Sequence, residues 1–392
     1  MSTAVYIVGA KRTPVGAFLG ALSSVPATEL GGIAAQAAIA HAGIDPNLIE
    51  ELYFGNVVSA NLGQAPATQV AIHAGITRRI PATIVNKVCA SGAKAMAIAA
   101  NQIALGQAHI LLAGGMENMS RTPHYLPQMR LGLKYAAGEV VDGIMRDGLQ
   151  DPFDRIFMGE AADRMAAKNG ITREAQDAFA IESYKRAEAA QAAGKFAGEL
   201  VSVTVKDRKG DVVVDNDEEP GNVRYDKIPT LKGAFTKDGT VTAANASKLN
   251  DGASAVILAS EAAVKQHNLK PLARIVSHAD AQLDPVWFTE APAEAMPLAL
   301  ARAGKTVNDI HLFEINEAFS NVAIYNRDKL GIPADALNIY GGGVSLGHPI
   351  GSSGCRIAVT LIHALHNENK SWGMIGICNG GGGAHAMVFE KA

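Results

Sequence analysis

This chain has little cysteine, little tryptophan and little charge, and no apolar stretch long and uninterrupted enough to span a bilayer. Three cysteines in 392 residues are no disulfide framework, and the absence of a Cys-x-x-Cys pair removes the usual signature of zinc or a redox dithiol. The 11 histidines show no zinc-ligand spacing. A net charge of −3 without a basic run argues against a nucleic-acid binder. Gly304-Lys305-Thr306 resembles the end of a P-loop, but Ala299 stands at the first glycine position. The Gly380–Gly383 run opens no helix, so no dinucleotide fingerprint is met. NAD, flavin, zinc, nucleic acid and membrane are not expected as cofactors or partners. Met1–Pro14 reads as strand and turn, without the features of a secretory or organelle leader, and Phe389–Ala392 is no peroxisomal address. A cytoplasmic location is expected. Charged residues make up 19%, below the ~25% of typical soluble domains, so other subunits are expected to cover part of the surface.

Glycine, by contrast, is abundant at 40 residues, which implies many close backbone approaches. Short β runs alternate with Ala-rich amphipathic stretches, the grammar of an α/β layered fold. Ser91–Ala108 has helical periodicity and leads into an apolar run ending at Gly114-Gly115. The pattern returns where Ser353-Gly354 opens a helix, Met374–Cys378 forms a strand, and Gly380–Gly383 follows. Thr28–Asn56 resembles Ala293–Asn316 in its helix, its Ala-Gly stop and a strand ending at Asn; Gly252–Ser260 resembles Gly383–Lys391. These matches predict a duplication. In the first half, about 130 residues separate the Gly-Gly turn from the last strand, enough for an inserted domain. The insertion includes a helix over Thr172–Ala193 capped by Thr172. Its acidic run Asp215–Glu219 reads as a solvated loop.

Cys89 lies between a strand and a helix start, among small neighbours and helix amides that favour a thiolate. An arbitrary cysteine is most often a small buried hydrophobe, but this context suits a nucleophile. His348 occupies a glycine loop at the corresponding place in the second half, so the two halves can bring base and nucleophile to one cleft. Cys378 precedes Asn379 and Gly380–Gly383, whose amides can face a developing negative charge. Asn316, ending its strand at the same edge, can orient a water or carbonyl; alone it would be a helix cap. Cys355, at the start of a helix, is assigned to packing.

Taken together, the Cys89 segment, Asn245–Gly252, Asn316-Glu-Ala-Phe319, the Gly347–Gly351 loop and Cys378 with its glycines resemble the thiolases across essentially the whole chain. The likeness is strongest to the short-chain biosynthetic acetyl-CoA acetyltransferases, including fungal-like cytosolic members of mevalonate and sterol synthesis. It implies two βαβαβ halves in a five-layered αβαβα arrangement. The N-terminal half would span 1–119 and 250–270, the CoA-binding loop domain 120–249, and the C-terminal half 271–392. The implied reaction joins two acetyl-CoA into acetoacetyl-CoA and CoA. Cys89 would carry the acetyl group, His348 accept its proton, and Cys378 deprotonate the second acetyl-CoA. His348 with an Asn316-held water would form one oxyanion hole, and the Cys89 and Gly380 amides the other. Ser247, Met158, Phe235, Ala318 and Phe319 would line the pantetheine tunnel, and Tyr184, Arg224 and Lys227 would contact the nucleotide. Backbone carbonyls of Ala243, Ala244, Ala246 and Val344, with Tyr184, resemble the potassium site of some members. A homotetramer, a dimer of dimers, is implied too. The chain departs from the family pattern at Phe157, Tyr340 and Cys355, and at Lys248, where glycine is common. A degradative 3-ketoacyl-CoA thiolase is the nearest alternative. A ketoacyl synthase would carry histidine in place of Cys378, and a non-catalytic acyl-CoA or lipid carrier would not need Cys89, His348 and Cys378 together.

Overall fold

Apolar runs of β-branched and small residues form the strands, and Ala-rich segments form the helices between them. In the computed structural model the described residues are 3–76, 79–135 and 137–392; Met1 and Ser2 of the expected first strand-and-turn segment lie outside them. The first half contains β1 (Val5–Arg12), α1 (Ala27–Ala42), β2 (Glu51–Gly55), α2 (Pro66–His73), β3 (Ala82–Val85), α3 (Ser91–Ala104) and β4 (Ile110–Asn118). An irregular segment carrying α4 (Met158–Lys168) and α5 (Arg173–Ala192) follows, and β5 (Asn250–Ser260) completes the half. The second half contains β6 (Ala273–Gln282), α6 (Pro292–Ala303), β7 (Leu312–Ile315), α7 (Ser320–Leu330), α8 (Ile350–Asn367), β8 (Trp372–Asn379) and β9 (Gly383–Lys391).

The spatial strand order is β3-β2-β4-β5-β1-β6-β9-β8-β7. Read inward from either edge, the two halves repeat one another. β2 runs parallel to β4 as β7 does to β8, and β5 and β9 return antiparallel. The position of β3 is held in the second half by an isolated parallel bridge between Phe313 and Leu337. The halves join where β1 meets β6, Val5 opposite Ile275. Helices α1 and α2 cover one face of the first half, α6 packs on the outer face of the second, and α3 and α8 lie between the two sets of strands. That is five layers, with every residue of β4 and β5 buried.

The central layer depends on missing side chains. A Cβ on Gly92 would lie 2.8 Å from the Cys355 amide nitrogen, and one on Gly354 2.5 Å from that of Ala93. The first turns of α3 and α8 therefore cross backbone against backbone. Both α1 and α6 end on a left-handed glycine, Gly43 at φ 66° and Gly304 at φ 64°, so the latter closes a helix and cradles no phosphate. Thr172 caps α5, its hydroxyl accepting from the Ala175 amide at 3.2 Å. α3 ends at Ala104, short of the expected Ala108, and α8 starts at Ile350, ahead of the expected Ser353.

The expectation of a solvated Asp215–Glu219 loop holds for Asp215 and Asn216, which are exposed, and fails for Asp217 and Glu219, which are buried, and for half-buried Glu218. Arg12 is fully buried; its Nε donates to Glu199 at 2.5 Å, and its two Nη atoms grip Asp217 at 2.6 and 2.8 Å. Glu218 accepts from the Ala17 and Ala21 amides, and Glu219 from Asn250 Nδ2 at 3.0 Å. A buried guanidinium requires buried carboxylates, and that pairing binds β1 to the inserted segment.

Candidate active site

Cys89 sits two residues before α3, in a turn whose geometry is unusual for its sequence. Val88 adopts φ 48°, a left-handed conformation that a β-branched residue holds only when its surroundings enforce it. The enforcement is visible. Ser91 Oγ donates to the Val88 carbonyl at 2.5 Å and accepts from the Lys87 amide at 2.9 Å, while Asn86 Oδ1 accepts from the Val88 amide at 3.0 Å. The Gly380 and Cys89 amides are directed at the Cys89 thiol and favour its ionisation, but burial is the larger effect and pushes its pKa up to about 11. The expected help from the amides is present but outweighed, and the resting group is a thiol.

His348 sits two residues before α8, the same station in the second half. The crossing of α3 and α8 therefore brings the Cys89 and His348 loops together. His348 is buried, its amide donating to Asn250 Oδ1 at 2.8 Å. Nδ1 lies 2.6 Å from Ser353 Oγ, and Ser353 Oγ donates to the Pro349 carbonyl at 2.9 Å. A hydroxyl has one proton; with that proton on Pro349, Ser353 accepts from Nδ1–H. Nε2 is left with a free lone pair, consistent with Asn316 Nδ2 lying 3.5 Å away as a donor. Burial, reinforced by the Arg356 cation, pulls the His348 pKa down to about 3. The imidazole is neutral, with its basic nitrogen directed to the Asn316 side. Asn316 follows β7, fixed by its amide to the Gly376 carbonyl at 2.9 Å, and it caps no helix, since α7 begins at Ser320.

Cys378, fully buried near the end of β8, precedes a hairpin turn made of glycine. Gly381 and Gly382 have φ of 84° and 94°, and a Cβ on Gly382 would overlap the Leu283 carbonyl oxygen. Burial first, then the neighbouring Cys89, raises the Cys378 pKa well above that of a free thiol. A Cβ on Gly380 would touch Met158 Sδ and Val88 Cγ1, so this amide lies between the Cys89 turn and α4.

An apolar cavity of about 510 Å³ opens onto His348, lined also by Phe157, Met158, Phe235, Ser247 and Phe319. Phe235 and Phe319 meet edge to face at 6.1 Å between centroids. The Ser247 amide donates to the Ala318 carbonyl at 3.0 Å and the Ser320 amide to the Asn245 carbonyl at 2.8 Å, tying the 245–247 loop segment to the loop before α7. Ala318, expected in the tunnel lining, lies outside the cavity lining and belongs to the same buried apolar cluster as Cys378. Arg224 and Lys227 are exposed and lie outside the lining, Lys227 within 3.6 Å of Asp226.

Tyr184 does not reach toward a nucleotide. It is buried on α5, and its hydroxyl receives a hydrogen bond from Lys248 Nζ at 2.7 Å. The same ammonium donates to the Ala246 carbonyl at 3.1 Å and the Val344 carbonyl at 3.4 Å. These are three of the five groups expected around potassium; of the other two, Ala243 is exposed and Ala244 half-buried. The residues present do not fit a bound potassium ion, because a cationic side chain already fills the set. Burial lowers the Lys248 pKa to about 8, opposed by Glu219 and Glu317.

The comparisons agree with this geometry. Residues 5–262 match the thiolase N-terminal domain and 269–391 the thiolase C-terminal domain. This chain is a member of the thiolase family. A probable acetyl-CoA acetyltransferase of Dictyostelium discoideum is 52% identical over 99% of the chain and 94% of its own length. A cytosolic acetyl-CoA acetyltransferase of Gibberella zeae is 50% identical over 99% and 98%. Among solved structures, the acetyl-CoA acetyltransferase of Syntrophomonas wolfei superposes with a TM-score of 0.97 at 36% identity, covering all of both chains. A thiolase of Ascaris suum in complex with coenzyme A gives 0.94 at 42%, covering 99% of this chain and all of that one.

Several residues of this thiolase's site were invisible to motif reading. Ser353 sets the His348 tautomer, and only its spacing five positions after the histidine hints at it. Asn250 bridges the His348 amide to Glu219. Buried Glu117 accepts from Asn56 Nδ2 and the amides of Val57, Val58 and Gly351, joining the loop after β2 to the first turn of α8.

Proposed function

We propose that this thiolase is an acetyl-CoA C-acetyltransferase that reversibly converts two acetyl-CoA into acetoacetyl-CoA and CoA. The observation that carries the reading is the pairing of two adjacent buried thiols with a neutral imidazole whose basic nitrogen is free, beside an apolar cavity. In the first half-reaction the Cys89 sulfur attacks the thioester carbonyl while its proton passes to His348 Nε2. The bond to CoA sulfur breaks, and Cys378 protonates the departing thiolate. In the second, the Cys378 thiolate removes a methyl proton from another acetyl-CoA, and the carbanion attacks acetyl-Cys89. Cys89 leaves as a thiolate and recovers its proton from His348. Each group returns to its starting state, consistent with a site whose resting members are all uncharged. One oxyanion hole uses His348 and Asn316, and the other the amides of Cys89 and Gly380. Ser247, Met158, Phe235 and Phe319 guide the pantetheine arm; Ala318 supports it from behind, and Arg224 and Lys227 face the nucleotide end. No step passes through potassium.

The segment 120–249 acts as the CoA-binding domain between halves 1–119 with 250–270 and 271–392. We also assign a cytoplasmic location and a homotetramer. The location is favoured by the cytosolic relative. The tetramer is favoured by an exposed apolar stretch with Leu126, Met129, Leu131, Leu133, Tyr135 and Val140, suited to burial against another copy. Thiolysis rates across acyl length test the substrate: acetoacetyl-CoA should be the best, and a clear preference for a C8 over the C4 substrate would overturn the assignment in favour of a degradative 3-ketoacyl-CoA thiolase.

A further inference from the structure

Lys248 joins three elements through one ammonium group. Its three donors meet Tyr184 on α5, the Ala246 carbonyl in its own loop, and the Val344 carbonyl in the turn four residues before His348. Two buried carboxylates supply the field for this charge. Glu317 is held by Ser183 Oγ at 2.7 Å, Asn338 Nδ2 at 2.8 Å and the Val344 amide at 3.1 Å. Glu219 is held by Asn250, the residue that also receives the His348 amide. The site is therefore built for one positive charge among oxygens, and it sits beside the cavity, where Lys248 forms part of the wall.

We propose that the Lys248 ammonium is a covalently attached monovalent cation, which replaces potassium in this enzyme and fixes the His348 turn and the 242–248 loop without any bound metal. Three acceptors match the three ammonium donors, and an ammonium group is close to a potassium ion in size. A second monovalent charge within a few ångströms would be repelled and would find Tyr184, Ala246 and Val344 occupied. Lys248 is a positioning residue: it acts through the Val344 carbonyl on the turn leading to His348 and through Ala246 on the loop carrying Ser247.

The test compares the full-length protein with its Lys248→Gly and Lys248→Met variants in potassium, sodium and choline chloride at equal ionic strength. Thermal melting and thiolysis kinetics are both read. The kinetic arm rests on the proposed function, whereas the melting arm does not, so a protein without thiolysis activity would sink that function and leave this inference measurable. The wild type should show one Tm and one KM in all three salts. Lys248→Gly should melt lower and show a raised KM in choline, with potassium alone restoring Tm and lowering KM by about fivefold or more. Lys248→Met, which fills the space without charge, should be impaired alike in every salt, and it keeps the question decidable if the glycine variant does not fold. A saturable potassium effect on the wild type would overturn the inference. So would a folded Lys248→Gly enzyme indifferent to potassium, or a Lys248→Met enzyme with wild-type Tm and KM.

Discussion

Replacing Ser353 by alanine removes one oxygen and tests whether the His348 tautomer is held as the hydrogen bonds imply. The proton chain runs from His348 Nδ1 to Ser353 Oγ and on to the Pro349 carbonyl, all buried. Without Oγ, the Nδ1–H has two options. It can stay, leaving a buried donor unpaired at a cost of about 1–3 kcal/mol, or the proton can shift to Nε2 and consume the lone pair needed for the base. Either route raises the barrier for taking the Cys89 proton, and at 1.36 kcal/mol per decade kcat/KM should fall roughly 5- to 150-fold. The helix should survive, because the Ser353 amide still donates to Pro349 O at 3.0 Å. Loss of the enolate absorbance of acetoacetyl-CoA during thiolysis gives the rate, and circular dichroism confirms the fold. Ser353→Thr, which retains a hydroxyl, should recover most of the activity. An alanine variant within twofold of wild type would refute the tautomer argument.

Other consequences are equally concrete. Because burial raises the Cys89 pKa to about 11, the thiol form persists through neutral pH and reactivity is lost as pH falls below that value. Iodoacetamide inactivation should accelerate roughly tenfold per pH unit between pH 7 and 10, and a plateau near pH 7 would contradict this. Arg12→Leu strands Glu199 and Asp217 as buried carboxylates and should destabilise the protein by about 3–5 kcal/mol in denaturant melts, whereas removing an exposed partner such as Lys206 should change little. Gly382→Ala forces a side chain at φ 94° into the Leu283 carbonyl, and should distort the Cys378 turn enough to lower thiolysis while Cys89 alkylation persists.

Much of the fold was legible because duplication leaves periodic traces that survive in the chain: the Ala-Gly stops became Gly43 and Gly304 in matching left-handed caps, and the strands ending at Asn56 and Asn316 occupy equivalent places. The placement of Cys89 and His348 before two crossing helices was legible for the same reason. What was hidden depends on partners distant in sequence. The Asp215–Glu219 run looks solvated until Arg12, some 200 positions earlier, is placed beside it. Tyr184 and Lys248 reveal their bond only when α5 and the 242–248 loop meet. The amides expected to favour ionisation of Cys89 do act on its thiol, but the larger opposing effect was hidden, because local dipoles are readable in sequence and burial is not.

Brief incubation with radiolabelled acetyl-CoA, acid quench and peptide mapping tests the central claim directly. One acetyl group is expected on Cys89; in Cys378→Ala it should form more slowly, for want of the acid that protonates departing CoA, yet persist because the second half-reaction is blocked, and none should form in Cys89→Ala, which should lose thiolysis. Label on another residue, or full thiolysis by Cys89→Ala, would contradict it.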